Sequence, residues 1–557
     1  MVKWNTIKEL QNIFIDKYIH SDLSAELEKA CSEEYELKRD YNGRQILELL
    51  QNVDDVYNET NITNETKNAS VKITYKNNIL EVGNTGTSFN AETIERLCLG
   101  RASTKSSNNI GNKGTGFRSL LNDAEWIELH SGDFHLRFSE KYTQSLFERY
   151  KDEPLIKSQY NDWKKKDYPL CFPIMNCPEE IEPIKSGFDT FIRIKLKEEN
   201  NNKDTSINNQ LQQPLYKSLL FLPNINKIIV ETDLEVKKFE KICENDVVLL
   251  QESNNEIHQY FVQRKNINLD RDKIATLIIA VPLEKNYDFS TETLYCYFPI
   301  RNFPTPIHAL IHAPFQTNNS RDDIPNDEKQ INKELLKQCL DFAKEVAEKI
   351  AIKKIASIDL PIITLTPNDY FNGKVWGSSY FNLKNYYIDL LANAKLLPTV
   401  NKELISIKDK PKFIERNFPT AFKGVLFSDL LISLQDDVYK FIIDLANKCN
   451  YQEDDLKYSS YKNIYKMKEK ISNLSKDFDI STAVNIFLWW SDYSKKSRGM
   501  PYLLKNTNGN YIKEHDRVYL PTDTGLSILP ESLNWVNLCI LHQDYVDELI
   551  KQIQKNY

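Results

Sequence analysis

Three stretches of this chain place together residues that could handle phosphate. In "ILELLQNVDDVY", residues 46–57, Glu48, Asn52 and Asp55 follow one another at spacings of four and three. On a helix they project from one side, while Ile46, Leu50, Val53 and Tyr57 form another. Nucleotide hydrolysis needs a base to orient or deprotonate water, and a neutral oxygen ligand that holds Mg²⁺ without quenching that base. Glu48 and Asn52 supply such a pair. In "ILEVGNTGTSF" a strand runs into a turn at Asn84-Thr85-Gly86, leaving a polar side chain where the chain quits the sheet. In "IGNKGTGFRSLL", residues 110–121, Gly111, Gly114 and Gly116 precede Phe117 and what reads as a helix start. Glycine permits close backbone approach, and the free amides of a helix N-terminus attract an anion.

Each stretch also has an ordinary reading. The first is equally an amphipathic helix with a solvated polar face, the second a strand-ending turn, the third a bend. The glycine run lacks the Gly-Lys-Ser/Thr ending of a Walker loop and does not directly follow a strand as a Rossmann turn does. The surrounding pattern supplies elements to hold them. Strand-like runs ("SVKITYKNNILEVGN", "EWIELHSGDFHLRFS", "FDTFIRIKLK") alternate with helical ones, and residues 333–351 repeat apolar positions at helical spacing. Residues 58–70 and 197–210 are rich in amides and read as loops or insertions.

Taken in order, the motifs resemble those of the GHKL ATPases, the superfamily of gyrase, heat-shock chaperones, histidine kinases and MutL. The likeness is to the branch at the N-terminus of sacsin and related bacterial proteins. It rests on residues 48–55, 84–89, 98–105 and 110–119, with Thr190 in "SGFDTFIRIKL" following. The resemblance implies an α+β fold: a Bergerat-type α/β sandwich, its mixed, largely antiparallel sheet carrying helices on one face. An α/β middle domain and a mixed, helix-rich C-terminal region would follow, with bounds at 1–232, 233–356 and 357–557. It implies ATP and Mg²⁺ as ligands, Glu48 as general base and Asn52 as the Mg²⁺ ligand. Asp55, Asn84, Gly86, Phe89 and Thr190 would line the nucleotide pocket. Lys105, Gly111, Lys113, Gly114, Thr115, Gly116 and Phe117 would belong to a phosphate-facing lid. Arg321, in "NNSRDD", would reach the γ-phosphate from the middle domain. Asn84 departs from the family, which mostly has Asp there; an amide oxygen accepts a hydrogen bond without the charge assistance of a carboxylate.

The implied activity is that of an ATP-hydrolysing conformational switch, and the bacterial relatives imply an antiphage setting. Two alternatives stay open: a nucleotide-binding scaffold with negligible hydrolysis that recruits an effector, and a phosphotransferase of the histidine-kinase branch. A protein partner at the C-terminal region and a homodimer are family expectations. The chain of 557 residues has a net charge of -7, which disfavours general nucleic-acid binding. Nine cysteines stand singly, with no C-x-x-C pair, a pattern expected of a reducing compartment. No uninterrupted apolar stretch suggests a membrane span, so a cytoplasmic location is expected. A faint internal echo links "AKLLPTVNKELISIKD" (394–409) and "PYLLKNTNGNYIKEHDRVYLP" (501–521).

Overall fold

Alternation along residues 69–76 produces the first strand: Val71, Ile73 and Tyr75 are buried while Lys72, Thr74 and Lys76 are half-exposed. Asn77 and Asn78 then take φ of 51° and 59°, the two-residue turn whose twist suits a hairpin. Strand β1 (Ala69–Lys76) accordingly pairs antiparallel with β2 (Ile79–Asn84). The chain is seen here in a computed structural model. It describes residues 4–20, 26–40, 45–60, 69–86, 88–99, 117, 120–154, 156–157, 171–197, 207–212, 215–270, 273–318, 323–324, 329–368, 383–399, 402–411, 434–451, 468–469, 471–493, 501–513, 516–521 and 539–556.

The described residues form two compact units, Met1–Phe342 and Ala343–Tyr557. The first is mixed α+β. After β2 come β3 (Ala124–Ser131), β4 (Phe134–Phe138), β5 (Glu179–Glu180), β6 (Thr190–Leu196), β7 (Ile225–Thr232), β8 (Val236–Glu244) and β9 (Val247–Glu252). Strands β10 (Ile257–Asp270), β11 (Lys273–Pro282), β12 (Thr293–Cys296), β13 (Phe298–Pro304) and β14 (Leu310–His312) complete the set. They make one 14-stranded sheet in the order β13-β12-β14-β11-β10-β9-β8-β7-β1-β2-β6-β3-β4-β5. Among the described residues of this sheet, only the β1–β7 and β12–β14 pairings are parallel. The sheet runs without a break through the β7–β8 hairpin, across the position where the sequence suggests a domain bound at 232/233.

Registers in the first half of the sheet separate two unlike faces, because successive side chains point to opposite sides. On one, Val71, Ile73, Val82, Leu80, Ile192, Ile194, Ile127 and Leu129 stand side by side and share a core with Leu10, Phe14, Ile46, Leu50 and Ile94. These last residues come from helices α1 (Ile7–His20), α3 (Gln45–Thr60) and α4 (Ala91–Leu99), with α2 (Glu26–Asp40) between the first two. The other face is charged. Glu128 accepts from Arg137 at 2.6 Å and from Arg193 at 3.0 Å, Arg193 reaches Glu81 at 3.0 Å, and both guanidinium groups lie over the Trp126 ring.

Two polar stretches expected to be loops are partly ordered into helices. Helix α3 continues to Thr60, and Ile207–Gln212 forms a short helix whose Gln210 is buried. The reason lies in Ile207 and Leu211, which join the main core. Residues 333–351 lie within the helix Lys329–Lys353.

In the second unit, Trp490 is buried with Ile471, Val484, Ile486, Leu503 and Tyr545, and Trp489 packs against this cluster. The sequence echo is structural. Leu397–Pro398 pairs antiparallel with Leu404–Ile405, and Lys505 bridges Tyr511. Thr399 N donates to Glu403 O and Lys402 N to Thr399 O, while Asn506 N donates to Asn510 O and Gly509 N to Asn506 O. Both hairpins therefore close with the same bonding pattern. Among the described residues no helix is long and apolar enough to cross a membrane.

Candidate functional site

The ends of β2, β6 and β3 meet in one polar floor. Asn84 is opposite Thr190, and Thr190 is opposite Ser131. The Ser131 and Thr190 hydroxyls are 2.6 Å apart, and Ser131 Oγ accepts from Phe89 N at 2.8 Å. Asp189 ties the turn after β2 to the start of β6: its Oδ2 accepts from Gly86 N at 2.7 Å, its carbonyl accepts from Ser88 Oγ at 3.1 Å, and its N–H donates to Asn84 O at 3.1 Å. Gly86 has φ of 142°, a conformation that L side chains avoid. Gly132 (φ 56°) leads out of β3, and a Cβ there would stand 3.1 Å from Ser88 Cβ. Each glycine lets the turn and the strand ends close on one another.

Asn84 is buried, and its Nδ2 donates to Thr85 O at 3.4 Å. That bond orients the amide; among the described residues no donor reaches its Oδ1. An amide oxygen that accepts no bond from the protein suits a ligand that brings an N–H of its own.

Helix α3 packs on β1 and on the short helix Ile207–Gln212. Its sequence period suggests one apolar side and one solvated side, yet from Gln45 to Asp54 every residue is buried except the half-buried Asn52. Buried polar groups need partners. Gln45 bonds Gln210 (2.6 Å) and Asp123, and Ile46 N donates to Gln210 Oε1 at 3.1 Å. Burial pushes the Asp123 carboxyl up. At the other end Asp54, fully buried, accepts from Asn224 N at 2.8 Å, while Asn224 Nδ2 donates to Asp54 O at 3.1 Å and to Oδ2 at 3.3 Å. Glu48 is buried between these two anchors.

The structure thus brings Asn84, Gly86, Phe89 and Thr190 together, and it places Glu48 and Asn52 on a helix held from both ends. The Asp55 side chain lies outside the described residues, as do Lys105, Gly111, Lys113, Gly114, Thr115, Gly116 and Arg321. Phe117 is buried against Phe138, ring centroids 6.0 Å apart. Sequence reasoning missed Ser131, Asp189 and Asp54. The "FDT" preceding β6 and the doubled acid of "VDD" were the available signals.

No protein-family model matches the chain. Over 315 residues, 51% of this chain, it is 23% identical to "Protein NO VEIN" of Arabidopsis thaliana. That match spans 10% of the plant protein, so the chain corresponds to a small part of its relative.

Two further groups bear on metals. Glu252, Glu256 and His258 offer ligand atoms within 4.8 Å of one another. His258 is already engaged on both ring nitrogens, with Glu284 at 2.8 Å and Glu252 at 3.3 Å, and stacks on Tyr216. His308 and His312, helically spaced in the sequence, do not share a helix. His312 lies in β14, where its Nδ1 accepts from Tyr297 N at 2.9 Å, and His308 meets the Phe289 ring edge-on.

Proposed function

We propose that the chain binds ATP with Mg²⁺ and hydrolyses it as a conformational switch of the GHKL type, its first unit built as a Bergerat-type sandwich. The observation that carries this reading is the Asn84 amide beside Thr190, in a buried residue whose oxygen accepts no bond among the described residues, at the sheet end where the motif order expects adenine. A mostly antiparallel sheet with helices on its apolar face supports the same reading.

In this account the exocyclic amino group of adenine donates to Asn84 Oδ1. Thr190, held by Ser131, completes the polar edge of the pocket. Glu48 acts as the general base on water, and Asn52 offers a neutral oxygen to Mg²⁺, which would neutralise charge on the phosphates. Lys105, Lys113, the amides of the glycine run and Arg321 would stabilise charge on the transferred phosphoryl group. Nucleotide would then order the lid, and hydrolysis would release it.

A second reading, a nucleotide-binding scaffold with negligible turnover, is favoured by one feature: Asn84 stands where a carboxylate would bind adenine more strongly. Titration calorimetry with Mg·ATP, paired with phosphate release from the same preparation, separates the two. Binding with release supports the switch, binding alone supports the scaffold, and neither refutes both.

A further inference from the structure

We infer that Lys241 is a positioning residue for α3, acting through the segment 219–224, and hence for Glu48 and Asn52; this rests on the ATP-site reading above. Residues 215–220 form a 3₁₀ turn, and the carbonyls at the end of such a turn have no partner within it. Lys241 on β8 fills that need from below. Its Nζ donates to Leu222 O at 2.6 Å, Leu219 O at 3.1 Å and Pro223 O at 3.4 Å. Arg264 on β10 adds a bond to Leu220 O at 3.2 Å. All three ammonium protons are thereby engaged.

The next residue along, Asn224, is the one that grips Asp54, and its own carbonyl accepts from Ala69 N at 2.9 Å at the start of β1. Residues 219–224 are therefore a joint with cations on one side and the carboxylate of α3 on the other.

A buried ammonium is a costly way to fill space; an aliphatic side chain of that length would pack without losing hydration. Lys241 is 5% exposed. Burial lowers its pKa to about 8, with Arg264 adding to the fall and Cys243 and Asp54 opposing it. The Asp54 carboxylate thus acts electrostatically on Lys241 across the joint, while Asn224 supplies the direct bonds. Asp54 stands two residues after Asn52 and six after Glu48. Its placement sets the axial position and rotation of the helix turns that carry them. Among the described residues the joint makes no direct bond to Ser131 or Thr190, so the β3 side of the floor should respond to it far less than α3 does.

The test uses the full chain with Lys241→Met, Lys241→Arg and Asn224→Ala, read by ATP turnover and by amide exchange. Lys241→Met should lower kcat about tenfold with KM for ATP changed less than about twofold, the signature of a displaced reacting group rather than a lost binding contact. Exchange in residues 45–60 should accelerate while that in 124–138 stays unchanged. Lys241→Arg should restore most of the rate. Asn224→Ala removes the amide's bonds to Asp54 but keeps the backbone N–H bond to its carboxylate, and covers the case in which Lys241→Met does not fold. It should give the same pattern, and the two changes together should be no worse than either alone. Unchanged exchange at 45–60 in a folded variant, or a KM that rises with kcat unaltered, overturns the inference. Should the wild type not bind ATP, the ATP-site reading fails by itself, and the exchange measurement still decides whether Lys241 positions α3.

Discussion

The floor at the ends of β2, β6 and β3 and the helix α3 are held by opposite means. The floor is fixed by neighbours: Thr190 by Ser131 in the adjacent ladder position, Gly86 and Ser88 by Asp189. Helix α3 is fixed from outside the sheet ladder, by Asp123, Gln210 and Asn224, each of which supplies a partner to a buried polar side chain. A floor carried on a strand ladder resists displacement, because losing one side-chain bond leaves the strand pairing in place. A helix held by a few buried polar anchors depends on every one of them. In the proposed switch the rigid floor would bind the base and the more movable helix would carry the catalytic groups.

Removing an anchor from each region gives the widest contrast. Asp54→Ala leaves the half-buried Asn224 N–H and amide without their carboxylate, and should cost about 2–4 kcal/mol of stability. Ser131→Ala in the floor should cost about 1–2 kcal/mol. Denaturant melts of the two variants measure the difference, and equal losses would remove the distinction.

Acid should act in the reverse sense, on strands rather than on α3, which contains no histidine. Burial lowers the pKa of His130, next to Ser131, against the opposing pull of Glu128, and lowers that of His312 to about 3. In the fold both imidazoles take up a proton less readily than in the unfolded chain, which does so near pH 6.5. Stability is therefore full above about pH 6.5 and falls below it, by up to about 1.4 kcal/mol per pH unit for each group. Melting at pH 7 and pH 5, with exchange followed in 124–138 and 45–60, should place the first loss in the strands.

The smallest effect sharpens the floor itself. Asn84→Asp supplies the charge that the amide lacks and should tighten ATP binding by about 1 kcal/mol, roughly threefold to tenfold, in a calorimetric titration. A weaker or unchanged affinity would mean that the base does not sit on this residue.

Much of the floor was legible in the sequence, because strand periodicity and turn chemistry are local. The β1–β2 hairpin follows from alternation up to Asn77-Asn78, whereas the alignment of Asn84 with Thr190 comes from the ladder of β2 with the distant β6. Helix α3 was legible as a helix but not in its surroundings. Its apolar stripe at helical spacing marks one buried side; the burial of Glu48, Gln51 and Asp54 depends on partners up to 170 positions away. The continuity of the sheet through Thr232–Asp233 was hidden for a related reason. Parallel pairing of β1 with β7 joins segments far apart in the chain, and no local pattern announces it. The hairpin echo at Thr399 and Asn506 lay at the other extreme, visible in the residues and repeated bond for bond.

The central claim is that Glu48, buried on α3 between its two anchors, is the base for ATP hydrolysis. Phosphate release at saturating Mg·ATP, compared between the wild type and Glu48→Ala, tests it directly. The account predicts a fall of about 100- to 10,000-fold with ATP still bound. A rate equal to that of the wild type would contradict it.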